Sequence, residues 1–328
     1  MSRRSVTITA LAAISVLALT LTGCSKAGDN SGQSSPSASP SAGGKVTIGV
    51  VVTGIAMFPY YQAQVKGIEA AAKSAGKNVE LVVLDSQAND QTEQSNVQQV
   101  INRKVDALLF TPGSAAAGAA LATQAKVADI PVIAIDREAG TDTTAYVGYD
   151  NVKLGESMAE YAVKLLGGKG QVGGEIGIAG VINVINREKG WKNVLAKNPG
   201  ITYVGEVETG FDPAQAFTVT QNLLTGHPGT QVLLVMDDNT ALGTIRAVKG
   251  KKVAVIGLGA QTAGLKAVKS GDMVATVLMK PYELGYVGLQ TALKIVRGEK
   301  FDARPTFDTP VITADNVDQY IGKEGVGW

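Results

Sequence analysis

The 328-residue sequence has little of what most catalytic centres need. It contains one cysteine, Cys24, and one histidine, His227. A single cysteine cannot form an internal disulfide, a cysteine-based zinc cluster or an iron–sulfur site. A single histidine leaves little material for metal catalysis or for a Ser-His-Asp triad. The composition therefore argues against most classes of enzyme, and we expect no metal or cofactor.

An excess of charge of either sign is also lacking. The chain has 30 Lys and Arg against 29 Asp and Glu, a formal net charge of +1. This balance supplies no basic field for a polyphosphate backbone, so we expect no nucleic-acid partner. Hydrophobic residues make up 45% of the chain, which is long enough to bury a large core and suggests two lobes.

The first residues have the layout of an export signal. Arg3 and Arg4 precede an uncharged, mostly apolar stretch of 16 residues, Val6–Leu21, which is short for a membrane-spanning helix. The following Leu-Thr-Gly-Cys24 resembles the lipobox of bacterial lipoproteins, in which cleavage precedes the cysteine and the thiol is lipidated. The resemblance implies a signal peptide over residues 1–23 and lipidation of Cys24. The alternative is an uncleaved N-terminal anchor with a chance cysteine.

Residues 24–44 are predicted to be a lipidated cysteine followed by a disordered tether. Thirteen of the twenty residues of Ser25–Gly44 are Ser, Gly or Pro, and none is aromatic or β-branched. Such a segment cannot bury enough apolar surface to offset its ordering entropy. As a flexible coil it reaches on the order of 25 Å. The globular part begins near Lys45.

The rest of the chain alternates between strand and helix patterns. Short apolar, β-branched runs are typical of buried parallel strands. They occur at 45–52, 79–84, 107–110, 132–135, 172–179, 202–207, 232–236, 253–256 and 274–278. Amphipathic helical spacing lies between them, in one case behind a capping-box string, Asp90–Glu93. The pattern predicts an α/β fold of two doubly wound, parallel-sheet lobes with a cleft between them.

Polar and aromatic residues follow the predicted strands. In open α/β sheets, ligands bind beyond the carboxyl ends of the strands. Carboxylates and guanidinium groups there can bind vicinal hydroxyls, and ring faces can cover the C–H side of a sugar or polyol. The candidate residues are Asp136, Asp237, Arg137, Arg187, Tyr60, Tyr61 and Phe211.

Several strings, taken in their order and spacing, resemble a known family. They are Pro59–Tyr61, Val83–Gln87, Ile130–Arg137, Gly148–Asn151, Arg187–Trp191, Gln221–Pro228 and Asp237–Gly243. From residue 45 to about 320 the chain resembles the type I periplasmic binding proteins, specifically the ribose/galactose branch that serves ABC importers.

The resemblance implies a lobe arrangement that the residue patterns alone do not reveal. Three crossovers join the lobes of that family, here near Tyr149, Met279 and Asp308. The first lobe would then contain residues 45–149 and 280–308, and the second residues 150–279 and 309–328.

The resemblance also implies roles for individual residues. Tyr60 and Tyr61 become a stacking pair from the first lobe, and Asp136 and Arg137 a polar pair near the hinge. The contacts from the second lobe become Arg187, Phe211 and Asp237.

Four positions depart from the ribose-binding pattern, and at one of them Asp237 stands in place of the usual asparagine. Phe58 replaces an asparagine before the proline, in a loop one residue longer. Gly259 replaces an aspartate, and Met279 a glutamine. We therefore include these residues in the candidate site and expect no side-chain acceptor on the side of Gly259 and Met279. The expected ligand is polar along one edge and less hydroxylated along the other, in preference to ribose.

The immediate surroundings of some candidates carry further expectations. Adjacent residues at a helix start point in different directions, so we expect one of Tyr60 and Tyr61 to pack in the core. Of the neighbouring acids, we expect Asp238 to cap the next helix and Asp237 to accept from the ligand. Trp191 is expected in the core of its lobe.

The function predicted from the sequence is that of an exported lipoprotein, held at the outer face of the cell membrane by its lipid anchor only. As a monomer, it would capture a small sugar, sugar alcohol or related polyol and deliver it to an ABC permease. A sensory protein that presents its ligand to a membrane receptor is the main alternative. A nicotinamide-dependent oxidoreductase is more distant, because Gly257 and Gly259 are followed by Gly264 at the wrong spacing. A lactose-repressor-type regulator would need a DNA-binding segment where this chain has its export signal.

Overall fold

The computed structural model describes residues 44–140 and 142–328. The predicted signal peptide, the lipidation of Cys24 and the tether up to residue 43 lie outside the described residues. Within those two ranges, no helix is both long and apolar enough to cross a membrane.

Two separate sheets form the centre of the fold. The first is entirely parallel, with strand order β2-β1-β3-β4-β5. Its strands are β1 (Val46–Val52), β2 (Val79–Asp85), β3 (Ala107–Thr111), β4 (Val132–Ile135) and β5 (Ala145–Val147). The second has the order β11-β10-β9-β8-β6-β7, in which only β11 is antiparallel. Its strands are β6 (Gly170–Ile176), β7 (Ile201–Glu208), β8 (Val232–Val235), β9 (Ala254–Gly259), β10 (Ala275–Leu278) and β11 (Val311–Thr313).

Helices cover both faces of each sheet, because successive strand residues point to opposite sides. Ile133 packs in one apolar cluster, whereas Val132 and Ala134 pack in another. In the second sheet, Leu234 and Leu233 divide in the same way. The helices are α1 (Pro59–Ala75), α2 (Asp90–Asn102), α3 (Ala115–Val127), α4 (Asn151–Leu165), α5 (Ile182–Ala196), α6 (Pro213–Gly226), α7 (Asp238–Ala247), α8 (Thr262–Ser270) and α9 (Pro281–Val296), with a 3₁₀ turn at Val317–Gln319. The expected pair of doubly wound lobes is confirmed.

The chain passes between the lobes three times. Tyr149 lies in the first of these crossovers and contacts the other two. After β5 the chain enters α4, which packs beside the second sheet, and α9 returns to pack on α1 and the first sheet. The third passage leads to β11. The Tyr149 hydroxyl accepts a hydrogen bond from the Lys280 N–H at 2.5 Å, in the second crossover. Its ring lies 5.6 Å, edge to face, from that of Phe307 in the third.

Reciprocal glycines let helix backbones touch in both lobes. A Cβ on Gly67 would lie 1.9 Å from the Tyr282 carbonyl oxygen, where α1 crosses α9. A Cβ on Gly155 would lie 2.0 Å from the Arg187 carbonyl oxygen, where α4 crosses α5. Across the second crossing, a Cβ on Gly190 would lie 2.1 Å from the Val152 carbonyl oxygen. The helices α1 and α5, which begin at the cleft, are therefore held directly by their neighbours.

Local details differ from the sequence-based expectations. The cap of α2 is Asn89, whose side chain accepts from the Thr92 N–H at 2.9 Å, so the capping box at Asp90–Glu93 is wrong. Glu93 is instead buried and accepts from the Gly113 N–H at 2.8 Å. The three-residue strands β5 and β11 were not predicted, because they are too short to display a periodic pattern.

Candidate functional site

A cavity of about 200 Å³ lies between the lobes. This volume is below the range of about 300–1,000 Å³ typical of pockets for drug-sized ligands, so it suits a small molecule. Its walls come from the loop after β1, the starts of α1, α5 and α7, and the ends of β4, β7, β9 and β10. The lining residues are Met57, Phe58, Pro59, Tyr60, Tyr61, Asp136, Arg137, Val181, Asn183, Val184, Arg187, Phe211, Met236, Asp237, Asn239, Leu258, Gln261, Met279 and Trp328.

Nine of the ten ligand-binding candidates from the sequence line this cavity, and Gly259 does not. A Cβ at Gly259 would lie 3.2 Å from Cζ2 of Trp328 and 3.5 Å from Cγ of Gln261. Gln261, a hydrogen-bonding side chain, therefore lines the cavity close to Gly259. The expectation that this side offers no side-chain acceptor is wrong, because the amide oxygen of Gln261 can accept there.

Asp136, which lines the cavity, accepts hydrogen bonds from four side chains. It follows β4 with a left-handed φ of 65° and is 3% exposed. Its carboxylate accepts hydrogen bonds from the hydroxyls of Tyr60 at 2.8 Å and Tyr61 at 3.3 Å. Its carbonyl oxygen accepts from the Tyr146 hydroxyl at 2.9 Å and from the Asn183 amide at 3.2 Å. Asn183 belongs to the second lobe, so this last bond closes across the cleft.

Both tyrosines line the cavity, and Tyr61 also packs in the apolar core, as expected for one of the pair. Their rings lie 5.3 Å apart at an interplanar angle of 87°. Although the two Cβ directions diverge, the long phenol side chains converge on one carboxylate. Burial, and then the nearby Asp136 carboxylate, raise the pKa of Tyr60, and burial also raises the pKa of Tyr61. Both hydroxyls therefore remain protonated donors.

Arg137 is fixed by the first lobe, and its buried Nε is without a hydrogen-bond partner in the described part of the chain. Its Nη1 donates to the carbonyl oxygens of Pro112 at 3.2 Å and Gly113 at 2.9 Å. Its guanidinium lies 5.7 Å from the centre of the Tyr61 ring. Its Nε lies 4.0 Å from the nearer Asp136 carboxylate oxygen and has no hydrogen-bond partner among the described residues. A buried donor without a partner is costly, which indicates that a ligand or water completes the site.

Arg187 enters from the second lobe on α5. Its Nε donates to the Asn151 amide oxygen at 2.9 Å, and its Nη2 lies 4.0 Å from the sulfur of Met279. The side chain is buried, and its backbone carbonyl is the group that Gly155 contacts. The guanidinium is thus oriented by α4 on one side and by the second crossover on the other.

The capping role expected for Asp238 belongs to its neighbour. Asp237, not Asp238, caps α7, because its carboxylate accepts from the Thr240 N–H at 2.8 Å. Its other oxygen accepts from the Gln261 amide at 3.1 Å. Asp238 is fully buried and accepts from the Thr276 hydroxyl at 2.7 Å and the Gln261 N–H at 2.9 Å. Burial raises the pKa of both carboxyl groups, that of Asp238 to about 7. Asp237 still lines the cavity, as expected.

Aromatic and apolar side chains form the remaining walls. Phe211 has a left-handed φ of 61°, and its ring fills the space above Gly177, where a Cβ would lie 1.9 Å from it. Phe58 packs edge to face with Tyr61 at 5.9 Å. Trp191, in contrast, is wholly buried away from the cavity.

Sequence reasoning missed four polar or aromatic lining residues, which are Asn183, Asn239, Gln261 and Trp328. Asn183 lies in the strand-end segment that contains Arg187, and Gln261 follows the β9 end by two residues, so closer attention to strand ends would have found both. Trp328 follows no strand, and no local pattern points to it.

Comparisons with known proteins agree with this architecture. Residues 48–300 match the family model described as a periplasmic binding protein domain. A ribose import binding protein of Salmonella typhimurium is 33% identical over 282 residues, which cover 85% of this chain and 94% of that protein. A xylitol-binding protein of Mycolicibacterium smegmatis is 31% identical over 319 residues, covering 96% of this chain and 87% of that protein.

Solved structures give the same result. An ABC transporter solute binding protein from Bacillus halodurans, with bound myo-inositol, is similar at a TM-score of 0.80 and 25% identity. The match covers 85% of this chain and 98% of that one. The resemblance recognised in the sequence strings is confirmed, and the chain belongs to the type I periplasmic binding proteins, in the branch that contains the ribose import binding proteins.

Proposed function

We propose that this protein captures a small sugar, sugar alcohol or related polyol in the interlobe cavity and delivers it to an ABC permease. The relatives described above carry ribose, xylitol and myo-inositol in their names or structures, which supports this ligand class. The convergence of two carboxylates, two guanidinium groups and several aromatic rings on one small cavity between the lobes is the observation that carries the proposal.

The lining groups suit vicinal hydroxyls. The Asp136 and Asp237 carboxylates are acceptors, and Arg137 and Arg187 are charged donors, all held by other protein groups before a ligand arrives. Preorganised groups of this kind bind without a large ordering cost. The aromatic rings can cover the C–H surface of the same ligand.

We propose a binding cycle without a chemical step. A ligand that contacts both lobes binds the closed form more tightly, and that difference in affinity drives closure. The moving bodies are residues 45–149 with 280–308, and residues 150–279 with 309–328. The tyrosine hydroxyls stay protonated and already donate to Asp136, so neither is a poised nucleophile. X-ray scattering should show a smaller radius of gyration at saturating ligand, and an unchanged radius with confirmed binding would count against closure.

We further propose that the protein acts outside the cytoplasm as a monomer, attached to the membrane only through lipidated Cys24. The lipobox-like string and the export signal of the sequence support this. Cys24→Ala should release the protein from the membrane fraction without changing its affinity for ligand. Retention of that variant in the membrane fraction would refute the anchor.

The ligand class can be tested by thermal denaturation of the purified protein with ribose, xylitol, D-allose, myo-inositol and glycerol. A ligand at 100 times its dissociation constant stabilises the folded state by about 2.7 kcal/mol, which gives a measurable rise in Tm. Asp136→Ala serves as the control and should show no rise. Absence of a shift with every compound, in wild-type protein that is folded, would reject the proposed ligand class.

A further inference from the structure

Trp328 reaches the cavity from a segment that packs on the second lobe. Val326 packs with the apolar cluster that contains Leu265 and Val268 of α8. The Thr262 hydroxyl, at the start of α8, donates to the Gly327 carbonyl oxygen. The position of the indole is therefore set by contacts on both preceding residues.

The indole also has specific partners inside the cleft. Its Nε1 donates to the Met279 carbonyl oxygen at 3.2 Å, in the second crossover. Its ring lies 5.2 Å from the Tyr60 ring at an interplanar angle of 84°. Trp328 thus contacts both the second crossover, through a hydrogen bond, and the first lobe, through the Tyr60 ring. It also lines the cavity.

Gly259 leaves the space that the indole uses. A Cβ there would lie 3.2 Å from Cζ2 of Trp328, closer than ordinary van der Waals contact. Gly259 also has a φ of 134°, a backbone conformation that residues other than glycine rarely adopt. A larger side chain at position 259 would therefore crowd Trp328. Because residue 259 is glycine, the indole can occupy this space beside the end of β9.

We propose that Trp328 is a specificity-determining residue of this site, whose indole contacts the apolar C–H surface of a small polyol or sugar and excludes bulkier rings. The inference rests on the proposed function and adds the shape of the ligand. Hydroxyl groups are bound on the side of Asp136, Arg137 and Arg187. The indole lies beside Gly259, and an apolar C–H edge of the ligand would lie against it.

The test is calorimetry with xylitol, D-ribose and myo-inositol on wild type, Trp328→Ala and Trp328→Phe. Trp328→Ala should weaken the tighter of xylitol and D-ribose at least tenfold and leave the affinity for bulkier myo-inositol nearly unchanged, so that the ratio of those two affinities changes about tenfold. Trp328→Phe keeps an aromatic face and should stay within about threefold of wild type.

Trp191→Phe is the matched control. Trp191 is buried in the second lobe outside the cavity, and its Nε1 has no hydrogen-bond partner among the described residues, so the exchange removes no bond. The ratio of the affinities of Trp191→Phe for the three ligands should equal that of the wild type. The chain has two tryptophans, so this variant also makes Trp328 the sole tryptophan emitter, and saturating ligand should change its fluorescence.

The outcomes separate this inference from the function on which it rests. If wild type binds but Trp328→Ala leaves the affinities unchanged, or lowers them all by one factor, the specificity role is overturned and the binding function stands. Unchanged Trp328 fluorescence at saturation overturns it as well. If folded wild type binds none of the compounds, the proposed function fails and the inference fails with it.

Discussion

Gly155→Ala should weaken ligand binding although Gly155 lies outside the cavity. The new Cβ would lie 2.0 Å from the Arg187 carbonyl oxygen, whereas Cβ atoms essentially never come within 3.0 Å of such an atom. Helices α4 and α5 must therefore separate by about 1 Å. That separation stretches the 2.9 Å bond from Arg187 Nε to Asn151, which spans the same two helices.

The substitution should lower both the free energy of unfolding and the affinity for ligand. Overpacking of this kind costs about 1–3 kcal/mol, and the better helix propensity of alanine offsets about 0.5–1 kcal/mol of it. The free energy of unfolding should thus fall by at most about 2.5 kcal/mol. The displacement takes the Arg187 guanidinium out of hydrogen-bonding position, so affinity should fall about tenfold, which corresponds to about 1.4 kcal/mol. Urea denaturation and calorimetry with the tightest panel ligand measure the two quantities.

Gly226→Ala is the matched control. Gly226 also lies in a helix of the second lobe, at the end of α6, but no atom lies within 4 Å of its missing Cβ. This variant should be as stable as wild type or more stable by up to about 1 kcal/mol, with unchanged affinity. If Gly155→Ala matches it in both stability and affinity, the reasoning from helix contact to arginine position is refuted.

Asp136→Ala should abolish binding measured by calorimetry, because both tyrosine hydroxyls lose their acceptor, whereas Asp136→Asn, which tolerates the left-handed φ, should retain weak binding. Wild-type affinity in the alanine variant would contradict this. Met279→Gln should weaken the tightest ligand about tenfold by giving Arg187 a competing acceptor, and unchanged titrations would refute it. Burial raises the pKa values of Glu93, Glu175 and Asp238 to about 7. The folded state therefore holds more protons than the unfolded state in this range. As a result, the free energy of unfolding should fall as the pH rises from about 4.5 to 7. Urea denaturation at pH 5 and pH 8 checks this, Glu175→Gln should reduce the decline, and a stability that rises with pH would contradict it.

The sequence predicts the architecture well because parallel strands buried on both faces appear as continuous apolar runs. The same runs locate the strand ends, and the cavity is assembled from those ends. This is why the sequence predicts that Asp136, Arg187 and Asp237 share one site, even though they are far apart in the chain.

Side-chain direction and tertiary contact could not be predicted in the same way. Asp237 and Asp238 are chemically equivalent neighbours, and which of them caps α7 depends on where that helix begins. The convergence of Tyr60 and Tyr61 depends on an acceptor 75 residues away from Tyr61. Trp328 reaches the cavity through contacts with α8, and no periodicity in the segment around it reports that path.

The contacts of Tyr149 have a mechanical consequence. Three separate chain passages could each flex by themselves, and the two bodies could then twist or slide as well as approach one another. Tyr149 bonds to the backbone of the second passage and packs its ring on the third, so bending at one passage is transmitted to the other two. We therefore expect the two bodies to approach one another mainly by rotation about a single axis near Tyr149.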